Sequence, residues 1–149
     1  MQSRHWQEEP DLMAIDKDGK LYIFELKAWE SHSENILQVL RYGQIFGAHK
    51  YEDLNRLYRV FEDEGKSLKE AHSALFGENL KEEDFNRGQV FVVMTNGIDF
   101  KTREAIKYWR RQGLDVRPWI YRVYQNTNSE MLLEISTFTS VDNPYEDIA

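Results

Sequence analysis

The 149 residues include no cysteine, which excludes disulfides, thiolate zinc sites, iron–sulfur clusters and a cysteine nucleophile. No apolar run approaches the ~20 residues of a membrane-spanning helix, and the opening "MQSRHWQEEP" lacks the apolar centre of a secretory signal. A cytoplasmic protein that makes no use of a membrane is the expectation. Proline occurs only three times and glycine eight, with no cluster that would act as a linker. No internal repeat or low-complexity stretch divides the chain, so a single domain over residues 1–149 is expected. The hydrophobic share of 41% allows it a sizeable core.

Positive charge is scarce as well. The formal net charge is −7, which disfavours wholesale binding of polyanions, because phosphate affinity needs clustered lysine and arginine. The charge is unevenly spread. Residues 52–86 carry ten acids against five bases, whereas residues 99–125 carry seven bases against three acids. The second stretch could present one basic face to nucleic acid, although on charge alone solvated helix surface is the favoured reading of both runs.

Two apolar runs, Leu12–Ile15 and Leu21–Phe24, flank the turn-forming residues Asp16-Lys17-Asp18-Gly19 and predict a β-hairpin. "SHSENILQVLRYGQIFG" predicts a helix capped by Ser33, with Ile36, Leu37, Leu40 and Phe46 on its apolar side. Helices are predicted over Tyr51–Phe61 and over Ser67–Phe76, the latter closed by Gly77. "QVFVVMT" reads as a strand covered on both faces. A helix from about Asp99 to Gly113 and strands over "LDVRPWIYRVYQ" and "EMLLEISTF" complete the chain. Pro118 implies that its strand lies at an edge or carries a bulge. The order ββ, helices, β, α, β, β predicts an α/β fold with a mixed sheet flanked by helices.

The hairpin gathers charge at its open end. Asp11 stands before the first strand, and Glu25 and Lys27 close the second. Two carboxylates a hairpin apart suit a divalent cation such as Mg²⁺ or Mn²⁺, which takes oxygen ligands and needs only one or two carboxylates. Strand alternation puts Glu25 and Lys27 on one face, leaves the backbone carbonyl of Leu26 able to face the same ion, and places Lys27 where it could orient an attacking water.

Pro10-Asp11 followed by Glu25-Leu26-Lys27 resembles the PD-(D/E)xK signature of the restriction-endonuclease-like nuclease superfamily. Gln38 and Tyr42, within "QVLRY", match the QxxxY motif of its RecB-like members and share one helix face. "FELKAWESHSENILQVLRYGQIFG", followed by "QVFVVMTNGIDFKTREAIKYWRRQGLDVRPWIYRVY", is similar to relatives of the NucS-type DNA endonuclease domain. The likeness covers roughly residues 10–125, with the specific motifs confined to 10–42. It implies a restriction-endonuclease-like fold, metal-dependent hydrolysis of DNA, Asp11 and Glu25 as metal ligands, and Lys27 as catalytic lysine. It also implies Gln38 and Tyr42 as supporting catalytic-site residues. Family members carry a helix ahead of the hairpin, whereas only nine residues precede Pro10, so a short or missing N-terminal helix is expected.

Each assignment has a plainer competitor. Charged strand ends are common, and a lone ExK proves nothing. The hairpin between the acids and the QxxxY helix after them tip the balance toward a site. Lys101, Arg103, Lys107 and Arg110 are weaker candidates for contact with phosphate. His5, His32, His49 and His72 show no ligand spacing, and His5 reads as surface decoration. Trp29 and Tyr22 flank the corner and could stack on a base, with packing the simpler expectation. Two rival functions stand beside the nuclease: a catalytically inactive nucleic-acid-binding or assembly module, and an oligomeric interaction domain, such as a homodimer, that shares the strand "PWIYRVY".

Overall fold

The computed structural model describes residues 9–29, 32–62 and 64–137. The expectations concerning His5 and an N-terminal helix fall on residues outside this set. Five strands form one mixed sheet in the order β1-β2-β3-β4-β5. They are β1 (Leu12–Ile15), β2 (Leu21–Leu26), β3 (Gln89–Thr95), β4 (Asp115–Gln125) and β5 (Met131–Ser136). The outer pairs β1–β2 and β4–β5 are antiparallel, and β2–β3 and β3–β4 are parallel. The described helices are α1 (Ser33–Phe46), α2 (Tyr51–Tyr58), α3 (Leu68–Phe76) and α4 (Phe100–Arg111).

The hairpin forms where turn chemistry predicts it. Asp16 Oδ1 accepts from the backbone N–H groups of Asp18 (3.0 Å) and Lys20 (2.9 Å). Gly19 takes φ +84°, in the left-handed region that favours glycine. The buried His72 of α3 ties its Nε2 to the Asp16 carbonyl (2.9 Å), fixing the turn to the helical layer.

Both crossovers advance in one direction across the sheet, β2 to β3 and β3 to β4. Crossovers of one hand then deliver their helices to the same face. The main core accordingly joins Leu21, Ile23, Phe91, Val93 and Val116 of the sheet to Ile36, Val39, Tyr42 and Phe46 of α1, Leu54 of α2 and Ile106 of α4. The opposite face holds a smaller cluster of Phe24, Val90 and Val92 with Tyr22 and Trp119, made of strand residues alone. The expected sheet flanked by helices is thus a sheet with one described helical layer.

Several local expectations are corrected. His32 occupies the N-cap position of α1 without a side-chain cap, and Ser33 is already helical. Leu37 and Phe61 are exposed, Phe61 because α2 ends at Tyr58. The polar stretch after α3 hides a structural residue. Asn86, at φ +62°, donates its Nδ2 hydrogens to the carbonyls of Phe46 (2.9 Å) and His49 (2.8 Å), closing the end of α1. Strand β4 is not an edge of the sheet, since β3 and β5 flank it. However, β3 pairs with residues 115–120 and β5 with residues 120–125. Pro118 therefore sits in the half of β4 whose second side has no described strand, where its missing N–H breaks no ladder on that side.

Gly43 lets α1 approach the sheet closely. A methyl group there would run into the buried ring of Phe91 on β3. Alanine is favoured over glycine inside a helix by about 1 kcal/mol, whereas overpacking a filled core costs about 1–3 kcal/mol. Gly43→Ala is expected to lower the denaturation midpoint rather than raise it, as measured by urea unfolding.

Candidate active site

The register Leu12↔Phe24 places Asp11 opposite Glu25 one step further on. Asp11 accepts the backbone N–H of Leu26 through Oδ2 (2.7 Å), which fastens it to the last residue of β2. A strand residue's N–H and C=O point to the same edge, so the Leu26 carbonyl opens on the Asp11 side.

Glu25 lies on the helical face of the sheet and is only 3% exposed. A carboxylate so removed from water requires compensation. Lys27 supplies it, its Nζ standing 2.5 Å from Glu25 Oε1. Lys27 also donates to Gln38 Oε1 (3.2 Å), and Gln38 Nε2 donates to the Tyr42 hydroxyl (2.9 Å). Gln38 thus commits its carbonyl to the lysine and its amide to the phenol, leaving Tyr42 its own proton to donate. Burial raises the Tyr42 pKa above its ordinary value, and the Gln38 hydrogen bond opposes the rise. Glu25, through its charge and its side-chain approach to the phenol, reinforces it, and the charge of Asp11 does so more weakly.

All five catalytic-site candidates, Asp11, Glu25, Lys27, Gln38 and Tyr42, meet at the carboxyl end of β2. Open α/β sheets characteristically bind ligands at that end of their strands. Among the described residues no three acidic or histidine side chains gather around a point, so the acidic set is the pair. It fits a hard cation in two respects. Its donors are all oxygens, and Glu25 Oε2 is buried with no hydrogen bond, an acceptor still lacking a partner.

The basic candidates on α4 do not converge on this corner as a group. Asp99 caps α4 by accepting the Thr102 N–H (2.6 Å), and its pKa falls to about 2 through its hydrogen bonds to Thr102 and, after those, to His32. The helix thus begins beside the start of α1, and Lys101, in its first turn, is exposed. Arg103 lies half-buried on the next residue but one. Lys107 pairs with Glu104 (3.5 Å), and Arg110 at the far end donates to the Val116 carbonyl (2.8 Å). Of the four, Lys101 is best placed.

The aromatic residues divide. Tyr22 packs against Phe24 and lies under the Arg117 guanidinium. Trp29, expected to pack, is instead 80% exposed two residues beyond Lys27. Its backbone is held firmly: the Thr95 hydroxyl donates to the Trp29 carbonyl, and the Tyr121 hydroxyl donates to the Ala28 carbonyl (2.8 Å). Those anchors lie 66 and 93 residues away, and no local pattern announces them.

No family model, curated protein or solved structure matches the chain. The functional reading therefore stands on the residues and their geometry.

Removing one member of a buried ion pair strands the other. Lys27→Met is expected to destabilise the fold by about 2–3 kcal/mol, less than for a fully buried pair because the lysine is partly solvated. Adding Glu25→Gln should recover most of that loss in a urea-denaturation double-mutant cycle. For the same reason Glu25→Ala is not a structurally silent substitution, and Glu25→Gln is the better probe of chemistry.

Proposed function

We propose that the chain is a PD-(D/E)xK-type nuclease that hydrolyses phosphodiester bonds of DNA with Mg²⁺ or Mn²⁺. The observation that carries this reading is the convergence of Asp11, Glu25 and Lys27 at one strand end, with Gln38 and Tyr42 bracing the lysine.

Asp11, Glu25 and the Leu26 carbonyl would hold the cation. When bound, it offsets charge developing on the phosphoryl oxygens, a contribution of several kcal/mol. Lys27 has three N–H donors. Two are directed at Glu25 and Gln38, and the third is left to orient the attacking water. Water adds to phosphorus and releases a proton to solvent, the bond to the leaving sugar oxygen breaks, and that oxygen takes a proton back from solvent. Gln38 and Tyr42 act through Lys27 and are positioning residues. Trp29 offers an exposed indole beside the scissile position, and base–aromatic stacking is worth about 1–3 kcal/mol per base. Lys101 is the nearest candidate for a flanking phosphate.

Glu25→Gln and Asp11→Asn should each reduce metal-dependent DNA cleavage by about 10²-fold or more, on the scale of lost electrostatic stabilisation, with circular dichroism unchanged. Calorimetric titration with Mn²⁺ should show binding to wild type that weakens in both variants. No binding at millimolar Mn²⁺ would favour the inactive module, in which Glu25 and Lys27 are only a structural pair. Trp29→Ala should raise KM several-fold with kcat little changed, because stacking is shared by ground and transition states. A fall in kcat alone would exclude the stacking role.

A further inference from the structure

The corner at β2 makes no use of the far side of the sheet, where β4 and β5 run on as a two-stranded arm. Beyond residue 120, β4 pairs with β5 alone. The apolar side chains of the arm lie largely in solvent, with Val123 54%, Met131 64%, Leu133 64% and Ile135 43% exposed. Strand alternation places these four with Tyr121 on the helix-free face, continuous with the Phe24, Val90, Val92 and Trp119 cluster. Exposed sheet edges are ordinarily guarded by lysine, proline, a bulge or a charge turned across the edge. Strand β5, "MLLEIS", has no lysine or proline, and its register with β4 runs unbroken. Its one charge, Glu134, is drawn back toward β4 by the Tyr124 hydroxyl (2.8 Å) and Arg122 (3.7 Å). No described strand lies against its outer edge.

The geometry points to a second copy of this chain as the occupant of that edge, paired β5 to β5 antiparallel about a two-fold axis through Leu133. A two-fold normal to the sheet keeps each face continuous, so opposed residues must share parity along the strand. Three centres overlap most of β5, and charge selects among them. An axis at Glu134 sets that carboxylate against the partner's Glu134. An axis at Leu132 sets Glu130 against the partner's Glu134. Like charges directly opposite are destabilising. The axis at Leu133 opposes Leu133 to the partner's Leu133, Met131 to the partner's Ile135 and Leu132 to the partner's Glu134, with no carboxylates facing. The apolar faces of the two arms then join without a break.

Such a pairing buries one strand edge and a few side chains per copy, small against the ~800 Å² per partner of a standard stable interface. Its dissociation constant should lie on the order of micromolar. The candidate catalytic corner is at β1 and β2, the opposite end of the sheet order, so dimerisation leaves it open and the inference does not depend on the nuclease reading.

Because the chain has no cysteine, a single introduced thiol tests the register cleanly. Leu133→Cys, oxidised with copper phenanthroline, should form a disulfide-linked dimer in high yield, since the two side chains meet on the axis. Met131→Cys should not, since it faces the partner's Ile135. Sedimentation velocity on the wild type should show monomer–dimer exchange across the micromolar range. Leu133→Lys should shift the protein to monomer with its circular dichroism spectrum retained, the site being exposed. Wild type that stays monomeric into the high micromolar range overturns the proposal. So does a dimer that survives Leu133→Lys, or cross-linking by the Met131→Cys variant and not by the Leu133→Cys variant.

Discussion

A carboxylate removed from water is the constraint around which this molecule is arranged. Glu25 occupies a strand position whose neighbours on the same face, Leu21 and Ile23, are core residues, and burying it alone would cost several kcal/mol. The Lys27 ammonium meets that charge, and Gln38 meets the ammonium in turn. Tyr42 takes up the second half of the Gln38 amide. Each group makes the next one tolerable, so the placement of α1 over β2 is specified by polar chemistry as well as by Ile36, Val39 and Phe46. Such a network is valuable only when its members are satisfied. The one buried oxygen of this network left over, Glu25 Oε2, is the point at which the arrangement looks outward for a partner.

The topology explains why this chemistry lies where it does. Successive parallel crossovers send β2 and β3 in one direction, and α1 leaves from the end of β2 and folds back over it. The first two turns of α1 must pass above the strand's last residues. A glutamine on that face can then reach a lysine at the strand end, and a tyrosine one turn on can reach the glutamine. Gly43 permits the close approach against Phe91. Asp99, whose carboxylate is stabilised by the start of α4, brings a second helix N-terminus to the same end of the sheet.

Much of this was legible in residues near one another along the chain. The hairpin followed from Asp16 and Gly19, the ends of α3 from Ser67 and Gly77, and β3 from an unbroken apolar run. Asp11, Glu25 and Lys27 were legible because the hairpin brings its two ends together and strand alternation gives Glu25 and Lys27 one face, whereas Gln38 and Tyr42 were singled out by their resemblance to the QxxxY motif. What could not be read were features made by distant partners. Asn86 closes α1 from 40 residues away, and Thr95 holds the backbone carbonyl of the exposed Trp29 from 66 residues away. The exposure of the apolar arm is of the same kind, since strands are expected over "WIYRVY" and "MLLEIS" without any local sign of what covers them. Only the stagger of their pairing shows that half of that hydrophobic surface has no described element beneath it.

That stagger has an energetic corollary. Strand β4 belongs to two ladders that overlap at Ile120 alone, so the mechanical continuity of the sheet passes through one residue. Residues 115–120 are braced by β3 and by α4, whereas the only strand ladder of residues 121–125 among the described residues is to β5, joined by the Tyr121 hydroxyl on the Ala28 carbonyl. The sheet is thus built of two ladders of unequal support. Strain on the far end of the β4–β5 ladder therefore reaches the ladder carrying Glu25 chiefly through Ile120 and the Tyr121 hydroxyl, which keeps the candidate corner at a distance from the outer edge.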